Sequence, residues 1–281
     1  MITAAQIGEA VREAIPRAAV ELRPDVLAAL QSAASGERSP RGRAVLSQLL
    51  ENARIAAADR APLCQDTGTV WVRVELGTEE CLSGDLQRAV DDAVRDAYAS
   101  ASLRMSLVRD ALLDRTNSGD NTPAFVDLAQ RSGAGATVHI MLKGGGSDNA
   151  SRVAMLAPAD GWNGIRAFVL DTVEATATSA CPPVIVGVGV GSTFDKVASL
   201  AKRALLVPLD ATASDSRVAE AEVELLAAIN ATGIGPGGLG GDTTALGLRI
   251  LSAPCHIAAL PVAVNVGCNS MRSVTIEVAG A

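Results

Sequence analysis

Aromatic residues are scarce in this sequence, at 2% of 281 residues, so Ala, Val and Leu must supply most of the core. Apolar runs are also short, because acidic and basic residues interrupt every stretch before it reaches the roughly 18 residues of a membrane span. The first residues, Met1–Glu9, lack the basic and apolar regions of a secretory signal peptide. We therefore expect a cytoplasmic protein.

Positive charge is outweighed by negative charge. Lys and Arg number 24 against 31 Asp and Glu, which gives a net charge of −7. This balance argues against a general attraction to nucleic acid or anionic membranes, so an anionic substrate must be held by a local group of donors. The 48% of apolar and 20% of charged residues are typical of a folded protein and not of a disordered one.

Closely spaced cysteine pairs are missing. The five cysteines form an odd number and are spread along the chain, which argues against a disulfide framework. Cys64, Cys181 and Cys268 stand at predicted element boundaries, whereas Cys81 and Cys255 have less distinctive neighbours. Thiolates favour iron–sulfur clusters or zinc. Spacing alone leaves open whether these three bind a metal or are separate thiols.

Hydrophobic periodicity predicts a mixed α/β (α+β) fold in one domain, residues 1–281. Residues 1–60 read as helices separated at Pro16, Pro24 and Pro40, packed on an α/β body of residues 61–281. The body contains predicted strands at 69–76, 138–142, 184–190 and 262–266 and a further late strand around Ile250. The predicted helices lie at 86–98, 165–180, 195–205 and 218–229.

Two segments are rich in glycine. Gly187-Val-Gly189-Val-Gly191-Ser192 partly matches a dinucleotide-binding fingerprint, although its third glycine falls one place early, and a tight strand-to-helix turn explains it as well. The segment 233–244 is costly in backbone entropy, which indicates backbone lying close to a ligand or cofactor, or alternatively a hinge.

Polar clusters separate the apolar segments. Cys64-Gln65-Asp66-Thr67-Gly68 precedes the first predicted strand. The turn 117–123 is a second polar cluster, for which an ordinary loop is the alternative interpretation. The segment 143–149 begins Lys-Gly-Gly-Gly and ends a predicted strand. Exposed backbone amides beside a lysine suit a carboxylate or a phosphate, and strand ends are where α/β proteins place their sites.

Taken in order, the motifs resemble a known family from about residue 40 onward. They are Cys64-Gln-Asp-Thr-Gly, Leu103-Arg104 with the turn 117–123, Lys143-Gly-Gly-Gly-Ser, Cys181-Pro-Pro, Gly240-Gly-Asp-Thr-Thr and the stretch around His256 and Cys268. This series is similar to the α subunit of class I fumarases (fumarate hydratases) and L-tartrate dehydratases. Six motifs in the same order are far more specific than any one of them.

The resemblance implies a [4Fe–4S] cluster held by Cys64, Cys181 and Cys268, with one iron left without a protein ligand. It also implies substrate contacts at Gln65, Asp66, Arg104, Gly145 and His256. Asp66 and His256 are the candidate catalytic side chains, Asp66 as a group that orients Gln65 or Arg104 and not as the base, and His256 in carboxylate binding or proton transfer. A structural histidine at a turn is the alternative for His256.

The chain departs from the family pattern in three places. Asp242 stands where the family commonly has Lys, Asp148 where it has Glu, and the residue before Arg272 is not acidic. Because no evident base for proton removal is present, the resemblance implies that a β subunit supplies it. The expected reaction is the reversible hydration of fumarate to malate.

Three other functions remain open from the sequence. The first is dehydration of L-tartrate or a related hydroxy-dicarboxylate by the same residues. The second is a non-catalytic subunit that binds a cluster, against which the retention of Gln65 and Arg104 argues. The third is a nucleotide-dependent enzyme that uses the glycines at 187–191.

Overall fold

Helices and strands are interspersed along residues 1–280, the portion of the chain that this computed structural model describes. The helices are α1 (Ala4–Val20), α2 (Pro24–Gly36), α3 (Pro40–Asp59), α4 (Leu86–Ser100), α5 (Gly145–Asn149), α6 (Gly161–Thr176), α7 (Phe194–Ala204) and α8 (Ser216–Ala231). The strands are β1 (Ile2–Thr3), β2 (Thr69–Gly77), β3 (Leu82–Ser83), β4 (Phe125–Arg131), β5 (Ala136–Lys143), β6 (Arg152–Leu156), β7 (Val184–Ser192), β8 (Ala245–Cys255), β9 (Leu260–Gly267) and β10 (Arg272–Val278). The predicted α+β class is confirmed.

Three prolines were predicted to separate the N-terminal helices, and the prediction is correct for two of them and wrong for one. Pro24 and Pro40 begin α2 and α3 as predicted, whereas Pro16 lies inside α1. Proline in a helix removes one backbone hydrogen bond. Helix α1 continues because its other face is buried, with Ile7 and Val11 fully inaccessible, and tertiary packing of such a face supplies most of a helix's stability.

The chain divides into two compact units. The first, called unit 1, contains residues 1–23, 53–145 and those from 272 onward, and the second, called unit 2, contains residues 24–52 and 146–271. Residues of the predicted helical segment, 1–60, occur in both units, and its division from a body of residues 61–281 stays a prediction. Helix α1 belongs to unit 1, whereas α2 belongs to unit 2.

Unit 1 is built on a four-stranded sheet in the order β10–β5–β2–β4. Strand β2 pairs antiparallel with β5 and parallel with β4. Helices α1 and α4 pack on each other, and α1 also packs on β5 and β10, around a core that includes Ile15, Val72 and Ile140. Because Thr69 pairs with Lys143, the segment before β2 and the segment after β5 meet at the same edge of the sheet, namely the edge formed by the ends of its strands.

Unit 2 contains a second four-stranded sheet in the order β6–β9–β7–β8. Strand β7 is parallel to β8 and antiparallel to β9. Helix α7 packs on β7, β8 and β9, while α8 packs on β8.

Among the described residues, no helix is both long and apolar enough to cross a membrane.

The glycines at 187 and 189 do not form a nucleotide-binding turn, because both lie within β7. A Cβ on Gly187 would stand 2.3 Å from the carbonyl oxygen of Ala201, and one on Gly189 would stand 2.6 Å from that of Val197. Both carbonyls belong to α7. The glycines therefore allow the helix to approach the strand closely. Left-handed backbone occurs only at the strand's end, where Gly191 has φ of 86° and Ser192 has φ of 64°.

Candidate functional site

The segment 64–68 carries the first candidate residues and lies immediately before β2. Gly68 has φ of 83°, and a Cβ on it would stand 2.7 Å from the carbonyl carbon and oxygen of Lys143. Only glycine combines this backbone conformation with so close an approach. The approach brings the segment against the end of β5, beside Gly144 and Gly145.

The Asp66 carboxylate accepts hydrogen bonds from several parts of unit 1. Its Oδ2 accepts the backbone N–H of Gly145 at 2.8 Å, and its Oδ1 accepts that of Gly68 at 3.1 Å. The same Oδ1 lies 3.3 Å from Nη2 of Arg104 and 3.4 Å from Oγ of Ser106. Four donors from three separate segments hold this carboxylate in one orientation. In this arrangement the backbone N–H of Gly145 donates its hydrogen bond to Asp66.

Arg104 brings a half-exposed cation to the same cluster. Its Nη1 donates to Oε1 of Gln65 at 2.6 Å, while its side chain remains 55% exposed. Its own carbonyl oxygen accepts the hydroxyl of Thr67 at 2.6 Å. A guanidinium has five N–H donors in a planar fork, so Arg104 keeps further donors for a carboxylate. The structure thus brings Gln65, Asp66, Arg104 and Gly145 together.

Two buried side chains that sequence reasoning missed support this cluster. The hydroxyl of Tyr98 lies 3.0 Å from the carbonyl oxygen of Thr67 and 2.9 Å from that of Gly68. Burial raises the pKa of Tyr98, so its hydroxyl keeps its proton and donates at neutral pH. Asn121 donates to the carbonyl of Gly68 at 3.2 Å and accepts the N–H of Ser106 at 2.7 Å. The turn 117–123 therefore contributes to the support.

Arg272 was also missed as a functional candidate, and it is 2% exposed. Its Nη1 donates to the carbonyl oxygen of Asp66 at 2.6 Å, and its Nε has no hydrogen-bond partner among the described residues. A Cβ on Gly144 would stand 3.2 Å from Oδ2 of Asp66 and 3.5 Å from Nη2 of Arg272. A buried cation without a carboxylate partner is costly. Its positive charge favours anions at this edge of the sheet.

In unit 2 the fold brings Cys181 and Cys268 to one edge of the sheet. Cys181 precedes β7, Cys268 follows β9, and the antiparallel pairing of these strands places Ile185 opposite Gly267. Asn269 connects the two segments, because its backbone N–H and its Nδ2 donate to the carbonyl oxygen of Cys181 at 3.4 and 2.7 Å.

His256 lies at the opposite end of the same sheet. It follows Cys255, which pairs with Ser192 at the far end of β7, and nine residues of strand span roughly 26 Å. Its Nδ1 accepts the N–H of Ala258 at 3.1 Å, so the neutral ring carries its proton on Nε2. The structure does not bring His256 to the edge that carries Cys181.

The cysteine side chains fit a cluster by their chemistry. No described cysteine forms a disulfide, Cys64 and Cys268 are half-buried, and Cys181 is exposed. Thiolates of this kind are the usual ligands of iron–sulfur clusters. Among residues 1–280, no group of three or more His, Cys, Asp or Glu side chains is already placed to hold a metal ion.

Comparison with known proteins adds a family and named relatives. Residues 8–277 match the fumarate hydratase (Fumerase) family. A Methanocaldococcus jannaschii protein, provisionally named L(+)-tartrate dehydratase subunit alpha, is 37% identical over 270 residues, covering 94% of each chain. The L(+)-tartrate dehydratase subunit alpha of Escherichia coli K12 is 33% identical over 258 residues, covering 90% of this chain and 84% of its own.

Proposed function

Because the chain belongs to the fumarate hydratase (Fumerase) family, we propose that it is the α subunit of an iron–sulfur hydro-lyase that reversibly hydrates fumarate to malate. The observation that carries the proposal is the cluster of Gln65, Asp66 and Arg104 at one sheet edge. It combines a half-exposed cation with an amide and a fixed carboxylate, which suits a dicarboxylic acid.

Arg104 is proposed to bind one substrate carboxylate through its remaining N–H donors. Asp66 and Gln65 orient the guanidinium, since each accepts one of its N–H groups. We assign Gly145 to the same site, where it holds Asp66 in place through its amide. Arg272 adds positive charge beside the backbone of Asp66, whose carbonyl oxygen it bonds. These residues let the chain bind and orient a dianion in spite of its net negative charge.

Cys64, Cys181 and Cys268 are the residues we propose as ligands of a [4Fe–4S] cluster. Their thiols are outside any disulfide, and the last two lie at one sheet edge joined through Asn269. When bound, such a cluster supplies a Lewis-acidic iron for a substrate carboxylate and the leaving hydroxyl. The proposal requires Cys64 to join the other two as a third ligand.

The proton on the neighbouring carbon needs a base. Asp66 is held by four donors and acts in positioning, and His256 lies at the far end of the unit 2 sheet from Cys181 and Cys268. We therefore assign no proton transfer to either residue within one chain. The relatives are named as alpha subunits. A β subunit of the same hydro-lyase is the proposed source of the base.

The first experiment is anaerobic reconstitution of the full chain with iron and sulfide, followed by electron paramagnetic resonance of the reduced sample with and without malate. Serine variants of Cys64, Cys181 and Cys268 are expected to lose the [4Fe–4S] signal. Matched serine variants at Cys81 and Cys255, which are exposed and are not proposed as ligands, are expected to keep it. Failure of the wild-type chain to take up a cluster would refute the proposal.

Dehydration of L-tartrate is the second candidate, and the names of the relatives favour it. Tartrate carries one hydroxyl more than malate, so the same Arg104 and cluster would serve both substrates. Turnover of the α chain combined with its β subunit on malate, fumarate and L-tartrate distinguishes them. Higher kcat/KM on tartrate than on malate would replace the first candidate by the second.

We also propose that the protein works in the cytoplasm. The described cysteines form no disulfide, and exposed thiols such as those of Cys81 and Cys255 persist in a reducing compartment. Fractionation of cells with detection of the native protein tests this location, and recovery in an oxidising compartment would contradict it.

A further inference from the structure

The glycine-rich segment 233–241 is a fixed loop and not a hinge. Gly235 has φ of 70°, and a Cβ on it would stand 2.3 Å from the carbonyl carbon of Gly240. The N–H of Gly240 donates to the carbonyl of Ile234 at 2.9 Å, and the N–H of Gly235 donates to Oγ1 of Thr244 at 3.1 Å. The segment therefore folds tightly back on itself, which no side chain at position 235 would permit.

Glu37 anchors one side of this loop. It is 3% exposed, and its carboxylate accepts the backbone N–H groups of Asp242 at 2.9 Å and Thr243 at 3.1 Å. It also accepts the N–H of Ser39 at 2.9 Å. A Cβ on Gly241 would stand 2.9 Å from Oε1 of Glu37, so the glycine lets the carboxylate approach. A buried carboxylate bonded to three backbone amides fixes the loop's end firmly.

The other side of the loop contacts the segment that carries Cys181. The N–H of Gly237 donates to the carbonyl oxygen of Pro182 at 2.8 Å. A Cβ on Gly238 would stand 3.2 Å from Cγ2 of Thr178. The loop thus touches the chain on both sides of Cys181, three residues before it and one residue after it.

Cys181 needs such support because its backbone is strained. Its φ of 55° and ψ of 71° lie in the left-handed region, which residues with a Cβ rarely adopt. Such a conformation persists only when the surroundings fix it. Asn269 fixes the carbonyl of Cys181, and Gly237 fixes the carbonyl of Pro182. Because the left-handed backbone sets the direction of the Cα–Cβ bond, it also sets where the thiol points.

We propose that Glu37 is a positioning residue for Cys181 and acts on it through the glycine loop. The carboxylate holds residues 242 and 243, the loop holds Pro182, and the strained Cys181 keeps its orientation. The functional value of this orientation rests on the proposed role of Cys181 as a cluster ligand. The contacts that connect Glu37 to Cys181 do not depend on that role.

The test replaces Glu37 by Gln in the full chain. Glu37→Gln turns one acceptor oxygen into an NH2 group that faces a backbone N–H. The matched control is Asp25→Asn, because Asp25 is a half-buried carboxylate of unit 2 that accepts the backbone N–H of Leu209 at 2.8 Å and lies at the start of α2, outside the loop. Hydrogen exchange by mass spectrometry without iron, followed over residues 177–181 and 233–244, measures the coupling.

We expect Glu37→Gln to speed exchange in both segments by about tenfold, the factor equivalent to one lost hydrogen bond, and Asp25→Asn to leave both unchanged. In reconstituted chain, a chelator is expected to remove iron about tenfold faster from Glu37→Gln than from wild type. If Glu37→Gln does not fold, Gly241→Ala replaces it, because a methyl group there pushes against the carboxylate.

Unchanged exchange at 177–181 in the folded variant, or an equal change in the Asp25 control, would overturn the coupling. Faster exchange with unchanged iron loss would overturn the positioning role. A wild-type chain that takes up no iron instead refutes the proposed function, so the two failures are told apart by which protein shows them.

Discussion

Replacing Gly187 by Ala tests directly why β7 is rich in glycine. The new methyl group would stand 2.3 Å from the carbonyl oxygen of Ala201 and 3.0 Å from Cγ of Leu205. Ordinary contact needs roughly 1 Å more, and the carbonyl belongs to helix backbone, so α7 must move off the sheet. Overpacking of this kind costs about 1–3 kcal/mol, and the rigid backbone puts Gly187→Ala near about 3 kcal/mol.

Thermal unfolding of the full chain measures this cost. For a chain of this size 1 kcal/mol shifts the Tm by about 2–4 °C, so Gly187→Ala is expected to lower it by about 6–12 °C. The control is Gly36→Ala at the end of α2, where a Cβ meets nothing within 4 Å, and its Tm is expected to stay within about 2 °C. An unchanged Tm for Gly187→Ala would refute the packing explanation and revive a ligand role for these glycines.

Three further predictions follow from the contacts. Arg104→Lys loses the planar fork, so KM for the dicarboxylate in the complete enzyme is expected to rise about tenfold or more, and unchanged steady-state kinetics would contradict its binding role. Arg249→Met leaves the buried Glu222 without its ion pair, at a cost of about 3–5 kcal/mol in urea unfolding, and the double variant with Glu222→Leu is expected to recover part of it. A double variant no more stable than the single one would contradict this. Hydrogen bonds from Arg217 lower the pKa of Asp215 from 3.8 to about 2, so its stabilisation is complete above pH 3.8 and is lost as the pH falls towards 2. Asp215→Asn is expected to flatten the acid-unfolding curve in that window, and a superimposable curve would contradict the assignment.

Periodicity located the central elements well because their neighbours are on both sides. Strand β2 shows Val70, Val72 and Val74 on alternate positions, and all three are buried. In the two four-stranded sheets, the strands with no counterpart in the sequence prediction are β4, β6 and β10, and each is an outermost strand of its sheet. The two-residue strands β1 and β3 have no counterpart either. An edge strand has one neighbour and partial cover, so its apolar residues do not alternate cleanly. Phe125 and Leu128 of β4, for example, are 50% and 55% exposed.

The sequence by itself determined which donor types are available to the proposed site. Motifs that occur in a fixed order along the chain identify Gln65, Asp66, Arg104 and the three cysteines. The same was true of the acidic balance, which requires a local cation for an anionic substrate. These are properties of short segments, and a sequence displays them directly.

Only the tertiary structure decided which groups meet. The pairing of β2 with β5 turned the Gly145 amide towards Asp66, and the pairing of β7 with β8 placed His256 at the far end of the sheet from Cys181. The supports Glu37 and Arg272 contact residues about 205 positions away, with Glu37 bonding Asp242 and Arg272 bonding Asp66. Such contacts depend on strand order and register, because neither is encoded in the neighbouring residues.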